Sequence, residues 1–81
     1  MNEPPAGQFK RLDVRPILAG GGEPLPAIRR CVDALGPEDG LLVIAPFLPS
    51  PLIELLGAEG YRSRLEHGPG EWRIYFWRGA A

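Results

Sequence analysis

Residues 12–26 read Leu-Asp-Val-Arg-Pro-Ile-Leu-Ala-Gly-Gly-Gly-Glu-Pro-Leu-Pro, and this stretch decides the fold. A strand signal runs into a glycine-rich loop. Glu23 then stands directly before a Pro-x-Pro that opens a helix. A side chain at that place sits at a helix N-terminus, where unpaired N–H groups and the backbone dipole favour a negative group. A thiolate there would be a reactive centre, whereas a carboxylate there is ordinarily a cap. The stretch therefore marks a location without naming a chemistry.

Upstream, residues 9–15 alternate as a strand, with Leu12 and Val14 on one side and Arg11, Asp13 and Arg15 on the other. Pro16 ends the strand, and residues 16–22 read as a loop whose glycines permit unusual backbone angles. Downstream, residues 24–35 read as a helix. Ile28, Cys31, Val32 and Leu35 recur at helical spacing, Arg29, Arg30 and Asp33 fall on the solvent side, and Gly36-Pro37 stops the run. Leu41 to Ala45 is apolar on both parities, as in a central strand. Pro46 and Pro49 make a turn, and Ser50-Pro51 reads as an N-cap followed by a first-turn proline, opening a short helix over 51–58.

The last third reads as a hairpin of residues 61–66 and 71–78 joined by His67-Gly68-Pro69-Gly70. With Glu66 opposite Glu71, Leu65 meets Trp72, Ser63 meets Ile74, Tyr61 meets Phe76 and Arg64 meets Arg73. The order β-α-β-α-β-β implies an α/β (α+β) two-layer sandwich, a four-stranded mixed sheet with two helices on one face. The expected core is Leu12, Val14, Ile28, Val32, Leu35, Val43, Leu56, Trp72, Ile74 and Phe76. Residues 1–8 and 79–81 read as tails of a single domain over 9–78.

A chain of 81 residues with 44% hydrophobic content allows one small core. A net charge of −1 gives no reason to expect general binding to nucleic acid or to an anionic membrane. Cys31 is the sole cysteine, so no intrachain disulfide can form, and a small domain without disulfides suits a reducing compartment. The N-terminus has neither the basic nor the apolar segment of a secretion signal, and the apolar stretch from Leu41 to Leu48 is too short to span a bilayer. The expectation is a soluble, cytoplasmic protein.

Leu12-Asp13-Val14-Arg15 followed by Pro24-Leu25-Pro26 resembles the TusA/SirA-like sulfur carriers, whose pattern is Leu-Asp-x-Arg-Gly and then Cys-Pro-x-Pro at the first helix. Glu23 stands at the carrier's cysteine position, and the loop after the arginine is four residues longer. The longer loop, the Pro49-Ser50-Pro51-Leu52 of the second helix and the Trp72-Arg73-Ile74 of the last strand look like a Cys-lacking bacterial sister branch, a domain of unknown function. That resemblance covers about residues 9–78. It implies a helix N-terminal site made of Glu23, Pro24 and Pro26. Members of that branch often carry histidines before the two helices; this chain has Glu23 and Pro46-Phe47-Leu48 there, so no metal or proton-transfer role follows.

Four candidates carry bland readings. Glu23 reads as a cap, with no second titratable group close in sequence to share acid–base work. Cys31 falls on the buried stripe, where a thiol is inert. Gly20-Gly21-Gly22 lacks the Lys-Ser/Thr of a phosphate loop, and Glu23 would repel an anion. His67 reads as a turn residue, and no metal-ligand spacing exists. Neither metal nor cofactor is expected, and no catalytic residue is assigned.

The face carrying Arg62, Arg64, Arg73, Tyr75 and Trp77 is less bland, since arginine beside aromatics is typical of interface hot spots. The reading is a non-enzymatic interaction or accessory module that meets a protein partner, or a second copy, through this open sheet face. A persulfide carrier using Cys31 and a single-strand nucleic-acid binder using the sheet remain as alternatives; no membrane contact is expected.

Overall fold

The computed structural model describes residues 3–78. Residues 79–81 and the first two residues of the N-terminal tail lie outside the described residues. Strand β1 (Phe9–Asp13) leads into a short helix α1 (Arg15–Ala19) and then helix α2 (Leu25–Asp33). Strand β2 (Gly40–Ala45), helix α3 (Ser50–Ala58) and the hairpin strands β3 (Tyr61–Gly68) and β4 (Glu71–Arg78) follow. The sheet order is β1-β2-β4-β3, with β1 and β2 parallel and the other pairs antiparallel. This is the mixed four-stranded sheet with two main helices that the alternation of segments implied.

The core forms where the helices meet one sheet face. Val14, Ile28, Val32, Val43, Leu56, Ile74 and Phe76 are buried there, joined by Leu41, Ala45, Leu52 and Tyr61. Leu12, Leu35 and Trp72 are only partly buried and pack around its margin. Leu41, Val43 and Ile74 are sealed because β2 and β4 are the two central strands and each has a neighbour on both sides.

The segment 16–22 is not simply a loop. The Asp13 carboxylate accepts hydrogen bonds from the backbone N–H of Arg15 at 3.0 Å and from its guanidinium at 2.9 and 2.7 Å. This turn by an Asp side chain onto the backbone two residues on ends β1 and starts α1. The strand expected over 9–15 thus stops at Asp13, and Pro16 stands inside the first turn of α1, where its fixed φ suits a helix start.

The hairpin register also differs from expectation by two residues. β3 continues through His67 to Gly68, and Pro69-Gly70 alone makes the turn, with Gly70 at φ 71°. Proline followed by a positive-φ glycine is the type II pattern. A two-residue shift preserves which face each side chain occupies but changes its partner. Arg64 therefore faces Tyr75 rather than Arg73, Glu66 faces Arg73, and His67 stacks on Trp72 with ring centroids 4.2 Å apart.

Candidate functional site

The ends of β1 and β2 and the starts of α2 and α3 surround an apolar groove of about 270 Å³. Its floor is Val14, Val43, Ala45, Ile28 and Leu52, all buried core residues. Its walls come from Leu18 of α1, from Pro24 and Leu25, from Phe47 and Pro49 of the β2–α3 turn, and from Pro51 and Leu55 of α3. Phe47 is 53% exposed and Leu55 is 40% exposed, with Leu25 and Leu48 also open to solvent. No lining residue is charged. Grooves at the carboxyl ends of strands are where open α/β sheets accept ligands, because the chain there leaves the sheet and the side chains diverge.

The local chemistry explains why this groove is left open. Proline occupies the first turn of both main helices, and neither helix has a side-chain hydrogen bond at its N-cap. Ser50 is itself the first residue of α3, with Pro49 in the capping place, so the Ser50 side chain does not cap as expected. Glu23 lies outside the helix that begins at Leu25. It is exposed, and Pro24 takes the N-cap position. The proposed cap at Glu23 is thus not formed by hydrogen bonding. Of the three residues singled out by the resemblance, Pro24 lines the groove, while Glu23 and Pro26 are exposed and outside its lining.

Cys31 is partly buried on α2, where it packs against the core, well away from the start of the helix. In the glycine loop only Gly21 requires a left-handed backbone, at φ 80°. His67 lies in β3 rather than in the turn. Among the described residues, no group of three or more His, Cys, Asp or Glu is placed to hold a metal ion. No helix among them is long and apolar enough to cross a membrane.

On the opposite side of the sheet, Arg64, Arg73 and Tyr75 come together, but with carboxylates between them. Asp13, Arg15, Glu71, Arg73, Glu66, Arg64 and Glu3 form one chain of ion pairs in alternating sign. The Arg64 guanidinium also lies over the Tyr75 ring, 4.2 Å from its centroid, and the Tyr75 hydroxyl donates to Glu66 at 3.2 Å. The Arg15 hydrogen bonds hold the Asp13 carboxyl at a pKa of about 2, against an ordinary value of 3.8. Glu66 is lowered as well, first by Arg64 and then by Arg73; Arg64 is raised first by Glu3 and then by Glu66, and Arg73 first by Glu71 and then by Glu66. Arg64 and Arg73 are not directly opposite, and Glu66 stands between them, paired with both. Nor is Trp77 bare: it is 8% exposed, packed edge-on near Phe9 with ring centroids 6.5 Å apart. Arg62, opposite Trp77, stays exposed.

The groove escaped sequence reasoning because Leu25, Phe47 and Leu55 come from three separate segments. One signal was present: Pro46-Phe47-Leu48-Pro49 sets two large apolar residues inside a proline-bounded turn, where neither can join a helix or strand.

Neither the curated proteins nor the solved structures contain a match to this chain. A family model does match over residues 11–78, from the middle of β1 to the end of β4, which takes in the groove and nearly all of the sheet. By that match the chain belongs to DUF2249, a family described as an uncharacterized conserved protein.

Proposed function

We propose that this domain is a non-enzymatic protein-interaction module whose groove between α1, α2 and α3 receives apolar side chains of a partner protein. The single observation that carries the reading is the groove itself: wholly apolar walls, opened to solvent by Phe47, Leu25 and Leu55. Contiguous exposed apolar surface of this kind marks a contact site more often than a solvated one. Its volume of about 270 Å³ is small beside the roughly 300–1,000 Å³ of small-molecule sites, and suits one or two inserted side chains.

The rim gives the partner its charge. Glu23 precedes the groove-lining Pro24, and Glu54 sits three residues after the groove-lining Pro51 on α3. Both are exposed, and among the described residues neither is held in an ion pair. A segment with apolar anchors flanked by Lys or Arg is complementary to that rim.

The test is quantitative co-purification of a partner with the full chain and with Phe47→Ser and Leu55→Asp. Both substitutions are at exposed positions, and circular dichroism checks that the fold persists. Loss of the same partner from both variants supports the reading. Full retention by both sinks it.

A further inference from the structure

The helix-free sheet face is not empty. Gln8 lies just before Phe9 on edge strand β1, while Glu3 pairs with Arg64 on the opposite edge strand β3. Residues 3–8 therefore cross the whole face, three strand spacings of about 4.8 Å each. Glu3 grips the Arg64 guanidinium through both oxygens, at 2.9 Å from Nε and 2.8 Å from Nη2. Pro5 is in a polyproline II conformation, φ −63° and ψ 158°. Pro4 and Pro5 share a cleft of about 680 Å³ with Trp77. Beneath this strap the Trp77 indole Nε1 is sealed from solvent and has no hydrogen-bond partner.

We infer that Glu3-Pro4-Pro5 is a built-in occupant of a docking site, and that the site takes an acidic, proline-containing segment of a partner protein when the strap lifts. Proline-rich segments arrive already extended and dock on aromatic surfaces, with an indole N–H donating to a backbone carbonyl. Here Phe9, Tyr75 and Trp77 form the aromatic surface, the rings of Phe9 and Tyr75 meeting edge-on with centroids 5.1 Å apart. Arg64, stacked on Tyr75, supplies the carboxylate clamp. The strap satisfies the clamp but leaves the indole N–H unpaired, so a partner carbonyl at that point gains what the strap lacks. Among the described residues, no backbone hydrogen bond ties residues 3–8 to the sheet. The strap is held at its far end by the Glu3–Arg64 pair, which is half-exposed and so weak, and near β1 by a side-chain hydrogen bond that Gln8 Nε2 donates to Asp39 Oδ1 at 3.2 Å. Lifting the strap frees the Arg64 Nε and Nη2 that Glu3 held, next to the exposed Arg62 on the same strand, and this selects a segment with a carboxylate at the position of Glu3.

The probe is an acetylated, amidated peptide Asn-Glu-Pro-Pro-Ala-Gly, titrated to millimolar concentration into the full chain while the Trp77 indole N–H resonance is followed. Glu3→Gln releases the strap at an exposed position. The expected result is movement of that resonance in Glu3→Gln with an apparent affinity at least tenfold tighter than in the unaltered chain. Binding should be lost with a Gln-for-Glu peptide and with Glu3→Gln/Arg64→Ala. An unmoved indole in Glu3→Gln, or equal affinity for both chains, overturns the inference. A dimer in sedimentation that needs both Glu3 and Arg64 overturns the assignment to a foreign segment and gives the site to a second copy.

Discussion

The ring of Phe9 occupies the space that a side chain on Gly40 would need. A Cβ built at Gly40 would stand 2.6 Å from Phe9 Cδ1 and 2.8 Å from the Phe76 carbonyl oxygen. Gly40 is thus a close-approach glycine that lets the edge strand's aromatic ring fold over the first residue of β2. Gly40→Ala is expected to destabilise the domain by about 1–3 kcal/mol through overpacking. Urea unfolding measures it, and an unchanged midpoint would mean that Phe9 swings away freely.

Leu56 is fully buried and belongs, with Val32 and Phe76, to the core cluster between helices and sheet. Leu56→Ala is expected to cost about 2–5 kcal/mol. In a domain of this size that is a large share of the total stability, so thermal unfolding should show a drop of many degrees or no folded baseline.

Asp13 titrates near 2 when folded and near 3.8 when free. Its folded value is the lower one, so its contribution to stability is complete above about pH 4 and is lost as pH falls towards 2. Glu66 shifts in the same direction and adds to the same acid loss. Asp13→Asn is expected to flatten the fall in stability between pH 4 and pH 2, measured by urea midpoints across that range. An unaltered slope would show that the Arg15 pairing does not survive in solution.

Cys31 packs against the core from the middle of α2. Its alkylation in the native protein is expected to be at least tenfold slower than in urea-unfolded protein. Equal rates, or transfer of a persulfide onto Cys31 by a cysteine desulfurase, would favour the sulfur-carrier alternative.

Much of the architecture was legible because each element carried its own period. Ile28 and Val32 announced the buried face of α2, and the apolar run through Leu41 and Val43 announced a central strand. The misreadings lie where local chemistry had two outcomes. Pro16 can follow a strand or begin a helix, and here it stands in the first turn of α1, β1 having already ended at Asp13. His67-Gly68-Pro69-Gly70 could turn over four residues or two, and the type II preference of Pro69-Gly70 won. The site was less legible, since the groove needs Leu25, Phe47 and Leu55 brought together in space. The carboxylates that neutralise Arg64 and Arg73 are Glu3, Glu66 and Glu71; the register error of two residues hid the Glu66–Arg73 pair, and reading residues 1–8 as a tail hid Glu3.

The most direct test of the groove as the docking site is a photo-crosslinking amino acid placed in turn at Phe47, Leu55 and Leu65 of the full chain. All three positions are exposed, but Leu65 is on β3, outside the groove. The account expects adducts with one and the same partner protein at Phe47 and Leu55 and none at Leu65. Adducts absent from both groove positions, or equally abundant at Leu65, would contradict it.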